Sequence, residues 1–173
     1  MRRSCFALIA LALAMAALTS ASADPGDKAG WSVLTDPRQR AFLLWVPEPD
    51  GPRVLMLACL RDAGTFTAMS DAVGASDEFA RAKLTLSNGA ARFEVDGRIT
   101  RYPRSGRSSF ISDLDVNAEQ LRALGHKLVP VLEAPGDLTL TIAPSDGRAV
   151  RTRQIPIAGL AAVLGRFRDV CFR

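Results

Sequence analysis

The chain of 173 residues is 48% hydrophobic and 23% charged, and its 22 basic residues against 18 acidic ones give a net charge of +4. That length is one ordinary domain, able to bury a core without metal or multiple crosslinks. A single histidine, His126, excludes a multi-histidine metal centre.

Met1-Arg2-Arg3 precede an apolar run from Phe6 to Leu18, and small residues then end in Ala21-Ser22-Ala23. A basic head, an apolar core and an A-x-A site predict a secretory signal peptide over residues 1–23. At about 1.5 Å per residue its core reaches roughly 20 Å, short of the roughly 30 Å that a membrane anchor crosses. Ser4 and Cys5 do not extend a twin-arginine motif, so general secretion to the periplasm is expected. Losing Arg2 and Arg3 leaves 20 basic residues against 18 acids, a mildly basic form of net charge about +2. No later stretch approaches membrane-spanning length. Cys5 leaves with the leader, and Cys59 and Cys171 remain in an oxidising space, where two thiols are expected to pair.

Residues 24–30, with Pro25 and Gly26, read as a flexible start, and residues 31–173 as a single β-rich domain. Trp31–Thr35 is the first predicted strand, and Asp36-Pro37-Arg38 a turn into a second over 39–46. That second strand (QRAFLLWV) is too apolar to alternate, which predicts burial on much of both faces. The proline-rich stretch 47–52 cannot continue a ladder, and it leads into the apolar strand that carries Cys59. Thr65–Met69 is β-leaning, and 70–80 reads as a loop or one helical turn.

Asn88-Gly89 predicts a hairpin between 82–86 and 91–95, and Asp96-Gly97 predicts a second turn before a strand over 98–102. Residues 103–109 form a loop before a short strand over 110–114. Asn117 and Gln120 fit a helix start, with Leu121, Leu124 and Leu128 on one stripe, and Gly125 and Pro130 weaken its second half, so that it either stops near Leu124 or runs bent to Glu133. Leu138–Ile142 alternates as a half-buried strand, and Asp146-Gly147 turns it into a strand over 149–155. Pro156 fits a first helical position. Leu160, Val163, Leu164, Phe167 and Cys171 then share one stripe, which aims Cys171 inward towards the sheet. About nine short strands and two helices predict an α+β fold, mainly antiparallel β, as a sandwich or curled sheet. Its last helix is disulfide-linked to a central strand.

The early Trp strand, the strand ending in Cys59, the Gly/Asp-rich meander and the closing IAGLAAVL with Cys171 together resemble a group of uncharacterised proteobacterial periplasmic domains. Domains of this kind also occur in type VI secretion-associated accessory proteins. The resemblance implies a disulfide-linked β domain and brings no catalytic residue.

Four candidate chemistries arise from the residues. Arg98, Arg101, Arg104 and Arg107, with Tyr102 among them, form the densest positive stretch, fit to bind an anionic ligand or envelope partner. Arg148, Arg151 and Arg153 extend it if the two hairpins are neighbours; a solvated strand edge is the plain alternative. Asp113 and Asp115 share a strand face, and His126 with such a carboxylate would be the machinery of a small hydrolase. No nucleophile elbow accompanies them. Trp31 and Trp45 are expected in the core. The third class is a structural envelope protein that pairs through a strand edge. No cofactor, metal or nucleic-acid partner is expected, since the aromatic interleaving of a stacking platform is missing.

Overall fold

A computed structural model describes residues 28–73, 80–101 and 108–173. Nine strands and two helices follow in chain order. The first four strands are β1 (Gly30–Asp36), β2 (Arg40–Val46), β3 (Leu55–Leu60) and β4 (Thr65–Ser70). Next come β5 (Arg81–Asn88), β6 (Ala91–Arg101), β7 (Ser108–Asp115) and α1 (Ala118–Glu133). The chain closes with β8 (Leu138–Pro144), β9 (Arg151–Ile155) and α2 (Leu160–Cys171). All nine strands join one antiparallel sheet in the order β1-β2-β3-β4-β7-β6-β5-β8-β9. Within it β5, β6 and β7 form a meander that folds back beside β4, a Greek-key return.

Local chemistry explains the punctuation. The Arg38 backbone N–H donates to Asp36 Oδ1 at 2.8 Å, an Asx turn that reverses β1 into β2. Gly89, at φ +56°, supplies the left-handed residue of the tight β5–β6 hairpin. Asn117 caps α1 with a full capping box: its side chain accepts from the Gln120 backbone N–H, and Gln120 Oε1 accepts from its own.

The inner face carries the core. Leu43, Leu57, Phe66, Leu84, Phe93, Ile99 and Leu140 are buried there with Leu121, Leu128, Val131 and Leu132 of α1 and Leu160, Leu164 and Phe167 of α2. β2–β4 are apolar on both faces, as the unbroken run of β2 predicts. Leu44, Val46, Ala58 and Met69, which point away from the helices, are buried as well.

Two expectations are corrected, and a third is decided between alternatives. Asp96-Gly97 is no turn: β6 runs through it for 11 residues. Glycine is needed there because a Cβ would lie 2.5 Å from both the Ile111 carbonyl oxygen and the Phe110 ring. The Asp96 carbonyl, past the last β6–β7 pair, accepts instead from Ser112 Oγ at 2.7 Å. Pro156 does not open the last helix. α2 starts four residues later, behind Gly159 at φ +86°, and the Pro156 carbonyl is taken by the Trp31 indole N–H at 2.7 Å. Of the two courses the sequence leaves open for the first helix, α1 takes the longer, continuing past Gly125 and Pro130 to Glu133. A Cβ on Gly125 would meet the Phe172 ring at 2.6 Å, so that glycine lets the end of α2 lie against α1.

Cys59 and Cys171 are bonded, with Cα atoms 5.8 Å apart, across a separation of 112 residues. The bond fixes α2 against the inner face, where it packs on β1 and β2. The Trp31–Pro156 hydrogen bond then joins the first strand to the residue after the last, so the sheet is curled nearly edge to edge around its core. Closing so long a loop is worth on the order of 4–5 kcal/mol in the chain-entropy model. Cys171→Ser should therefore lower the unfolding free energy by about 3–5 kcal/mol in urea titrations at pH 7. A loss below about 1 kcal/mol would show that α2 is held by its apolar stripe alone.

Candidate anion-binding rim

The register sorts the connections by end. At one end lie the tight turns and every entry to and exit from the helices. At the other open the connections β2–β3, β4–β5, β6–β7 and β8–β9, which begin at Val46, Ser70, Arg101 and Pro144. Among the described residues this second end is a rim bare of helices.

The predicted arginines divide over it. Arg98 and Arg101 stand three apart on β6, so their side chains leave opposite faces of the sheet. Tyr102, Arg104 and Arg107 lie outside the described residues, but the connection that carries them starts at Arg101 and ends at Ser108, both at the rim. The β8–β9 connection, with Arg148, reaches the same end, and there β9 begins with Arg151. The two hairpins thus share one end of the sheet but are not neighbours, since β5 stands between them.

A cleft of about 440 Å³ at the rim is lined by Asp71, Ala72 and Val73 on one side and by Val150, Arg151, Thr152 and Arg153 on the other. Arg151 pairs in register with Ile142 and Arg153 with Leu140, so both guanidinium stems rise from the inner face of the sheet. Both side chains are exposed, and neither has an ion-pair partner among the described residues. Asp71 is held in place: one carboxylate oxygen accepts from Ser109 Oγ at 2.5 Å and the other from the Arg53 backbone N–H at 3.2 Å. Its acceptor capacity is partly spent, which leaves the two guanidinium groups as the cleft's uncommitted charge.

Arg98 occupies a different place. It lines an outer notch of about 590 Å³ with Arg81, Asp96, Asp113, Gly97, Ile111 and Ser112. Arg81 and Arg98 face each other directly in register. Such a like-charge pair is unfavourable unless balanced, and the two carboxylates of the same notch balance it. The notch is near neutral, so the rim is the better anion site.

The other candidates do not assemble. Asp113 and Asp115 share the outer face of β7 and are exposed, and Asp113 accepts from Thr67 Oγ1 at 2.7 Å. His126 is exposed on α1, whose buried side chains lie against the inner face. The sheet therefore stands between imidazole and carboxylate. Trp31 and Trp45 are half-buried against the core and paired in register. Among the described residues no three His, Cys, Asp or Glu side chains group as metal ligands, and no helix is long and apolar enough to cross a membrane. Sequence reasoning missed Asp71, Val73 and Val150 as cleft walls, because only the curl of the sheet brings the exit of β4 up to β9.

No family model, curated protein or solved structure matches the chain.

The outer face carries its own charge ladder. The Arg92 guanidinium donates to Glu94 and, with Lys83 alongside, holds that carboxyl below the ordinary carboxylate range. A depressed folded-state pKa gives stability that is present above the unfolded value, near 4.3, and is lost as pH falls through the folded one. In an NMR carboxyl titration Glu94 should show a midpoint below that value, and Arg92→Gln should move it up. An unmoved midpoint would show that the contact does not persist in solution.

Proposed function

We propose that the chain is an exported periplasmic binding or accessory protein that engages an anionic partner through the arginines of its rim. The observation that carries this reading is the pair Arg151 and Arg153, exposed and with no ion-pair partner among the described residues, beside a cleft at the end of the sheet where the 102–107 connection also opens. Two guanidinium groups on one face match carboxylate or phosphate geometry better than lysines would. A bonded cysteine pair accords with an oxidising compartment, and the basic head, apolar run and A-x-A site of residues 1–23 accord with export. The resemblance to periplasmic accessory domains points the same way. Arg98 belongs to the balanced outer notch, so Arg101, Arg104, Arg107, Arg151 and Arg153 are the residues assigned to the site.

The test is retention on an immobilised anionic polysaccharide as salt is raised. Binding of this kind should hold at about 20 mM salt and weaken steeply beyond about 150 mM, where the Debye length falls to about 8 Å. Replacing the five rim arginines with Gln should abolish retention, while Arg81→Gln with Arg98→Gln should leave it in place. Elution of the five-fold variant at the same salt as the parent would overturn the reading.

A further inference from the structure

The rim cleft runs along an edge, not over a face. Successive strand residues point to opposite sides, yet Arg151, Thr152 and Arg153 all line it, so the cavity follows the backbone margin of β9. β9 is the last strand of the sheet and, among the described residues, pairs with β8 alone. Its residues Arg151–Gln154 are exposed. No backbone hydrogen bond joins the opposite wall, Asp71–Val73, to β9 among the described residues; the Asp71 N–H is turned instead to the Arg53 carbonyl at 2.9 Å. The gap between the two is thus bordered by an unpaired strand margin with two cations on one side of it. Val150, one of two large hydrophobic side chains exposed among the described residues, stands at its mouth at 57% exposure.

We propose that this margin accepts an extended acidic segment of a partner protein as a tenth strand, its alternate carboxylates set against Arg151 and Arg153. The inference rests on the anion-binding reading and names its ligand as polypeptide. Strand addition supplies main-chain hydrogen bonds, and alternate side-chain positions supply selectivity. Arg151 and Arg153 are two residues apart, roughly 7 Å along a strand, the same repeat as carboxylates at alternate positions of the incoming chain. Those arginines also repel the matching edge of a second copy, so charge blocks self-pairing while it selects an acidic strand.

The experiment uses the purified, disulfide-bonded protein and two synthetic octapeptides of identical composition. One has glutamates at alternate positions between valines and threonines; the other has the glutamates contiguous. Amide hydrogen exchange is read over Arg151–Ile155, with affinity from fluorescence anisotropy, and inorganic polyphosphate serves as a non-peptide anion. The alternating peptide should slow exchange in β9 and bind about tenfold more tightly than the contiguous one. Arg151→Glu with Arg153→Glu should lose that peptide and gain its lysine-for-glutamate counterpart, a charge swap that a misfolded variant would not produce. Equal binding of both peptides and polyphosphate, with no protection of β9, would overturn strand addition and leave the anion-binding rim standing. Failure of the peptides and of polyphosphate alike would remove both.

Discussion

The bond between Cys59 and Cys171 is the constraint on which the layout depends. A helix of 12 residues at the end of a chain is marginal by itself, and it persists only where its apolar stripe is held against a partner. Anchored at Cys171, α2 covers the inner side of β1 and β2, and the Ile155–Leu160 segment that precedes it is drawn to within a hydrogen bond of Trp31. That contact brings the two margins of the sheet together. The curl is therefore a consequence of where the last helix is tied, and the cleft between β9 and the exit of β4 is a consequence of the curl.

The two ends of the sheet have separate work. Helix connections and tight turns crowd one end, where Arg40 and Asp62 also form a bidentate pair that holds the Asp62 carboxyl below its usual range. Exposed pairs of this type are screened by solvent and contribute little, so the core and the crosslink, not the charges, hold the molecule together. At the other end lie the four longer connections, two of which set Val54 and Val73 into the core. Charge is distributed to match. On the outer face Arg81 and Arg98 have Asp96 and Asp113 beside them, whereas among the described residues Arg151 and Arg153 at the rim have only an Asp71 already engaged with Ser109 and the Arg53 amide.

Much of the architecture was legible because it rests on local chemistry. Asn88-Gly89 has one low-energy use, the capping residues Asn117 and Gln120 act within four positions of each other, and the Leu160-to-Cys171 stripe aims a thiol inward whatever the sheet looks like. The failures are long-range. Asp96-Gly97 reads as a turn, but its glycine serves a close approach by Phe110 and Ile111, residues on another strand. Gly125 reads only as a weak point that leaves the end of the helix open, and what it does is seat Phe172, which is supplied by the far end of the chain. The same limit applies to the candidate site: the arginine-rich hairpins are visible in one dimension, but strand order decides which ends they share. Three-residue spacing on a strand separates Arg98 from Arg101, and that separation follows from period two once the strand is known to be unbroken.

The most direct test of this account compares amide hydrogen exchange in the oxidised and the reduced protein. If the crosslink holds α2 in place and α2 holds the curl, reduction should speed exchange sharply in α2 and β1. The β5 and β6 amides, packed beneath α1, should stay slow. Exchange in α2 and β1 that remains equally slow after both thiols are freed would contradict it.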